Sequence, residues 1–518
     1  MSIKTLLTRR QALLLSGSAA AGLVAAGLPR WAQAAPSAGL ALPIPQLIEA
    51  RSSEPVVLTL QKTQHRFGSG PAVASRGISA TYLGPVVRVR NGDTIPFRVE
   101  NRLDEETTLH WHGMLVPSNV DGGPHNTLRP GAVWTPEITI KQPASTNWFH
   151  PHPHGKTAPQ VYSGLAGMMI VTDGADRHRG LPATYGVDDL PIVLQDKRFG
   201  RNGQVVYQPD TMDIMHGFQG DTLVVNGVIG PTASVPGSMV RLRLLNAANA
   251  RVFDLRFSDR RPFFVVAGDG GLLPEPVEVK RLIIAPAERY EVLVDFGDGR
   301  SVDLVTAPDA GHAPGMRMPM MGPTRRSAGS VELLMRFRPD NAVEAAVTSL
   351  PRQLVALSGP DVKSAVAWRT FELNPMMGMG MGMMGMGMMG GPGRLASADH
   401  DHGDGHLQMM AINGRSFAMD RVDVTAKLGT TEIWEISTGG MPMAHPFHVH
   451  GASFRILSRN GGKPATHEAG WKDVVLVEEH AEILVRFDHP APPKMPFMYH
   501  CHVLEHEDHG MMGQFAVV

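Results

Sequence analysis

The chain of 518 residues contains a single cysteine, Cys501, so an intramolecular disulfide is excluded. It also lacks an excess of charge of either sign: 48 Lys and Arg against 49 Asp and Glu leave a net −1. That balance gives no reason to expect a nucleic-acid partner or an anionic membrane surface. No run is apolar enough to cross a bilayer comfortably, and long stretches of helical periodicity are hard to find.

What is present is distinctive. The length calls for two to four domains rather than one core. Gly (56) and Pro (41) are plentiful, which suits many short strands joined by turns. Thirty methionines are far above ordinary usage. At the start, "TRRQALLLSG" (Thr8 to Gly17) sets twin arginines before a mild Ala/Leu/Gly stretch that ends near Leu28, and "AQA" (Ala32 to Ala34) offers small residues for cleavage. The alternative, an N-terminal membrane anchor, asks for a longer and more apolar run. Residues 1–35 are read as a twin-arginine signal peptide. The expectation is a periplasmic product exported already folded by the twin-arginine machinery, with no stable membrane association. A lone thiol flanked by histidines in an exported protein points to metal binding.

Alternating apolar and polar residues around a Gly turn begin at Val86 ("VVRVRNGDTIPFRVENRL"), Val235 ("VPGSMVRLRLLNAANARVFDLRF") and, more weakly, Lys427 ("KLGTTEIWEISTGG"). "VVNGVIGP" (Val224 to Pro231) has an echo in "AINGRSF" (Ala411 to Phe417). The repetition predicts an all-β chain of three related Greek-key β-sandwich domains of about 100–150 residues plus insertions. Where the periodicity breaks, the domains are drawn at 36–180, 186–340 and 360–518. Short helices are expected near Thr157 to Tyr162 and Leu504 to Glu507. The third domain is interrupted at about 375–410 by "PMMGMGMGMMGMGMMGGPG" (Pro375 to Gly393) and "HDHGDGH" (His400 to His406). This insert has no strand or helix period and too much Gly to order itself cheaply. It is either a loop without a role or a soft-metal collecting surface, since thioether and imidazole suit Cu(I). "GMRMPMMGP" (Gly315 to Pro323) repeats the theme in the second domain.

Four His-x-His pairs stand out: His110/His112, His150/His152, His448/His450 and His500/His502. In a strand, residues i and i+2 share a face about 6.5 Å apart, a span that lets two imidazoles hold neighbouring metal ions. One pair is weak evidence; two pairs in the first domain and two in the last are strong. If His500 and His502 face one way, Cys501 faces the other and can bind a different metal. Thiolate, two imidazoles and a distant thioether make a blue-copper electron-transfer site. Cys501, His506 and Met511 fill three of those places, with Met512 as the alternative thioether, and His445 supplies the missing imidazole.

Together "HWHG", "WFHPH", "HPFHVHG" and "HCHVLEHEDHGM" resemble the four copper-binding motifs of three-domain multicopper oxidases, and the resemblance covers essentially the whole mature chain. The chain is most similar to the bacterial copper-efflux (cuprous) oxidases, which share twin-arginine export and the Met-rich insert, and to bacterial laccases. The resemblance implies cupredoxin-like domains and four copper ions: one type 1, one type 2 and two type 3. By the same resemblance His110 and His448 hold the type 2 copper. His112, His150, His152, His450, His500 and His502 hold the type 3 pair, with His154 just outside the ligand set and the middle domain free of ligands. Electrons enter at the type 1 site through the His506 or His445 edge, cross Cys501 to His500 and His502, and reduce dioxygen to water. Asp121 and Glu507 match the family's proton-relay positions, although each could otherwise be a plain loop carboxylate.

Three functions compete: oxidation of Cu(I) in copper tolerance, a laccase reaction on phenols and aromatic amines, and a non-catalytic copper-binding or scaffold role on the same fold. Retention of all ten histidines and the cysteine argues against the third. For the first, the family's substrate-copper site uses Met and Asp side chains. Met443 matches it, the acidic position before it is Met441, and Leu373 and Gly378 replace an expected Met and Asp, leaving Met376 and Met377 of the insert as further candidates. The sequence reads as a monomeric cuprous oxidase with secondary laccase activity.

Overall fold

The computed structural model describes residues 40–307, 331–344, 346–375, 409–440 and 443–518. The expected signal peptide, both Met-rich stretches beyond Pro375 and Gly315, and the candidates Met376, Met377 and Met441 lie outside the described residues.

Six sheets stack as three sandwiches. In the first, a four-stranded sheet orders Leu47–Glu49, Val86–Arg90, Gly167–Thr172 and Ser145–Phe149. It faces a sheet built on Val73–Ile78, Val56–His65 and Thr94–Arg102. Along Thr94–Arg102 burial alternates residue by residue, with Ile95, Phe97 and Val99 inward, which is the pattern read from the sequence. The second sandwich pairs a seven-stranded with a five-stranded sheet over Asp189–Pro339. The third pairs two five-stranded sheets over Ala365–Val517, around Trp434, Phe371, Tyr499 and Phe515. Residues 40–42 run beside the second sandwich: Leu42 donates its N–H to Thr232 O (2.8 Å) and joins that core.

Helices are few and short among the described residues. Thr157–Tyr162 and Leu504–Asp508 are where the sequence predicts them, and Thr211–His216 is a third, closed by a capping box at Asp210. An apolar cluster with Trp148 from the first sandwich, Leu245 from the second and Val474 from the third binds the three together. No helix of the described residues is long and apolar enough to cross a membrane.

Candidate metal centre

The site is built where the first and third sandwiches meet. In the strand His445–Val449, the residues His445, Phe447 and Val449 face one way and His448 the other, because strand faces alternate. Phe447 and Val449 share an apolar cluster with Cys501. His448 is paired in register with His500, and Phe447 with Cys501, of the neighbouring strand Phe497–Cys501. The alternation therefore divides two adjacent strands into a thiol side and a histidine side. Of the eight paired histidines only His448 and His500 lie within strands, however; His112, His152, His450 and His502 sit beyond strand or bridge ends.

On the thiol side, Cys501 Sγ lies 3.4 Å from His445 Nδ1 and 3.6 Å from His506 Nδ1, and the two Nδ1 atoms are 3.3 Å apart. Val503 donates its N–H to the sulfur at 3.4 Å. Met511 is fully buried in the cluster that contains Cys501, whereas Met512 belongs to a separate group with Phe417 and Met498. Burial pushes the thiol well above its ordinary value and holds His445 down to about 4. A buried neutral thiol between two neutral imidazoles needs a cation to become a thiolate, so the donor set fits a soft metal.

On the other side eight histidines converge. His152 Nε2 and His450 Nε2 each lie 3.2 Å from His500 Nε2. The rings of His112, His150 and His502 lie 5.1–5.7 Å apart, and those of His110 and His448 5.9 Å. His110 Nε2, His112 Nδ1, His150 Nε2, His448 Nε2 and His502 Nε2 are buried without a hydrogen-bond partner in the protein. Leaving so many buried polar atoms unpaired is costly unless a bound group takes their lone pairs. Burial holds His112, His150, His448, His450 and His502 well below the ordinary imidazole value and His152 at about 3, and the cluster fits metal ions as ligands.

The carboxylates singled out from the sequence touch this cluster. Asp121 Oδ2 is 2.8 Å from His450 Nδ1 and 3.3 Å from His110 Nδ1. It follows a single 3-10 turn at Ser118–Val120, and a Cβ on Gly122 would strike Leu109 O, so only glycine lets the loop close there. Glu507 Oε2 is 3.2 Å from His500 Nδ1, and its Oε1 3.3 Å from His152 Nδ1. Burial alone would raise Glu507, but His152 and His500 draw it below the usual carboxylate range.

One expectation changes, and one departure from the family's pattern gains a structural setting. His154 is exposed, in the turn before Thr157–Tyr162 and against Phe417, not beside the ligand set. Leu373, at a position where the resemblance implies a metal-binding Met, is fully buried in the third core opposite Ile412 and cannot face a surface ion. Met443 is likewise largely buried in that core.

Sequence reasoning missed the groups that hold the ligands. Glu505 accepts from Tyr207 Oη (3.0 Å), Asn249 Nδ2 (2.8 Å) and Phe218 N (2.9 Å), tying the helix of His506 and Glu507 to the second sandwich. Burial pushes Glu505 up to about 7 against those donors. Asp508 caps the helix Thr157–Tyr162 of the first sandwich through Thr157 N (2.8 Å) and Ala158 N (2.9 Å). Asp473 lies 3.1 Å from His112 Nε2. The one signal available was the density of acids in "LEHEDH", more than an exposed turn needs.

Three segments of the chain, residues 59–176, 198–303 and 394–518, match the family described as multicopper oxidase. Fold, paired sites and these matches together assign the chain to the multicopper oxidase family. It resembles the structure of a laccase-like multicopper oxidase, CueO, from the lignin-degrading bacterium Ochrobactrum sp., described with oxidase activity towards lignin model compounds and lignosulfonate. The identity is 49%, over 92% of this chain and 100% of that one, with a TM-score of 0.80. McoA of the hyperthermophile Aquifex aeolicus is 30% identical over 92% and 99%, with a TM-score of 0.76. A curated relative from Xenorhabdus nematophila, 37% identical over 99% of this chain and 98% of its own length, is named cell division protein FtsP.

Proposed function

We propose that the chain is a copper-dependent oxidase that takes single electrons from Cu(I), and secondarily from phenols, and reduces dioxygen to water. The observation that carries this is the set of unpartnered buried imidazole nitrogens beside a thiol pocket. His445, Cys501, His506 and Met511 are assigned to a type 1 copper and His110 with His448 to a type 2 copper. The groups His112, His150, His502 and His152, His450, His500 are assigned to a type 3 pair. Copper bound there supplies one-electron redox chemistry and the activation of dioxygen. The protein's own part is to hold the sites in place. Cys501 is bonded through the backbone to His500 and His502, so a covalent path joins the two sites. Asp121 and Glu507 are within reach of ring protons on ligands from both sandwiches and serve as proton donors for water formation. The twin arginines Arg9 and Arg10 support a periplasmic location reached as a folded monomer.

The choice of Cu(I) rests on the methionine-rich insert, with the phenol reaction favoured by the likeness to the Ochrobactrum enzyme. A second reading follows from the relatives named FtsP, which match almost end to end: a role in cell division, exercised through protein partners. The test is oxygen uptake by the copper-loaded chain with Cu(I) and with a phenol, beside Cys501→Ser. Oxidase function requires uptake that Cys501→Ser abolishes together with the blue absorption. If the parent takes up no oxygen with either donor, while both it and Cys501→Ser restore division in cells lacking the gene, the second reading replaces the first.

A further inference from the structure

The middle sandwich is assigned no ligand, yet one of its side chains reaches the cluster. Arg289 is fully buried and all five of its side-chain N–H groups are used. Nε donates to Thr146 O of the first sandwich (3.0 Å). Nη1 donates to Ala287 O (3.0 Å) and Asp473 Oδ1 (2.7 Å); Nη2 donates to Asp269 O (3.2 Å) and Asp473 Oδ2. This two-pronged contact fixes the plane of the Asp473 carboxylate. From the third sandwich, Asp473 then meets two cluster histidines: Oδ1 is 3.1 Å from His112 Nε2, and its backbone O is 2.8 Å from His448 Nδ1.

Among the seven cluster histidines whose rings meet a protein polar group, all but His502, His112 is the exception. The Nδ1 atoms of His110, His150, His448 and His500 meet backbone carbonyls, and those of His450 and His152 face Asp121 and Glu507. Those six rings turn Nε2 inward. In His112 the outer atom is Nε2, and it is Nδ1 that is left buried and unpartnered. An imidazole ring turned over has almost the same shape, so only a polar partner decides which nitrogen keeps its lone pair. Space for that partner is kept by Gly113: a Cβ there would lie 2.6 Å from Arg289 Nη2 and 2.8 Å from Asp473 Oδ2.

We infer that Asp473, clamped by Arg289, is a positioning residue that locks His112 with Nδ1 toward the cluster, so that the middle sandwich controls copper occupancy of the type 3 pair. The inference rests on the copper-oxidase reading above. Its test uses the full-length, copper-loaded chain and two variants, Asp473→Asn and Arg289→Lys. Asp473→Asn keeps the shape but turns a donor toward the guanidinium; Arg289→Lys keeps the charge but not the fork. The readouts are copper retained against a graded chelator and the near-ultraviolet band of the type 3 pair relative to the blue band. Expected is a blue band of parental intensity, a weakened type 3 band, and cluster copper held about 10–100-fold less tightly. A purely structural role would lower the melting temperature and leave that ratio of bands unchanged in the folded protein. An unchanged ratio and unchanged retention in the variant that folds, either one sufficing, overturn the positioning role. A parent that binds copper at neither site overturns the copper reading itself, and the inference with it.

Discussion

Asp121 Oδ2 and His450 Nδ1 are 2.8 Å apart although one belongs to the first sandwich and the other to the third. Glu507 makes the matching approach on the other flank, to His152 and His500. Each carboxylate thus reaches ligands from both halves of the site. Asp121→Asn and Glu507→Gln keep the shape and remove the titratable proton. In stopped-flow measurements the blue band should bleach with electron donor at the parental rate, while its return with oxygen slows about 100-fold or more. Parental recolouring in both variants would remove the two residues from proton supply.

A second prediction concerns stability in acid. Burial alone would raise Glu291, but Arg241 and Arg243 draw it down to about 2 from the ordinary 4.5. Thr146 Oγ1 of the first sandwich donates to it at 2.6 Å. The folded value lies below the unfolded one, so the carboxylate stabilises the fold fully above pH 4.5. That contribution is lost as pH falls toward 2. Glu291→Gln should cost about 3–5 kcal/mol at neutral pH, since it strands buried guanidinium groups. Denaturant titrations at a series of pH values should show the gap between parent and variant closing as the medium is acidified below pH 4.5. A gap independent of pH would mean that the charge on Glu291 is not what stabilises.

Removal of the methionine-rich insert separates its two roles. Pro375 and Met410 are direct partners at the end of the strand pairing Leu373–Pro375 with Met410–Ile412, so the stems already lie side by side. A short Gly/Ser link in place of residues 376–408 should therefore leave the melting temperature nearly unchanged. Cuprous oxidation should fall if the insert gathers Cu(I), and oxidation of bulky phenols should rise if it covers the entry to His506. Steady-state oxygen uptake with each donor reads both. Unchanged rates in a folded variant would take away the main support for Cu(I) as substrate.

The ligands were legible because their chemistry is local: a cysteine between histidines, and pairs two residues apart, declare metal binding wherever the chain places them. Strand alternation correctly set Cys501 against His500 and His502. It did so even though His502 lies past the strand end, where the turn happens to keep the same sense. His154 was misplaced because Pro151 and Pro153 carry the chain out of any strand, and the two-residue period ends with it. Asp473 and Arg289 were invisible for a different reason. They are 184 positions apart and meet only through the packing of two sandwiches, so no window of sequence contains the relationship. Leu373 shows the same limit from the other side: an alignment of motifs could not say that its position points into a core.

The assigned ligands come from residues 110–152 and 445–511, with the whole middle sandwich between them in the chain. His500, Cys501, His502, His506 and Met511 all lie beyond residue 499. A fragment that stops short of residue 500 would therefore carry six of the eight cluster histidines and no thiol. Copper held across the two sandwiches would bind the joined pair and not its parts, so it would act as a bolt that stabilises only the assembled form.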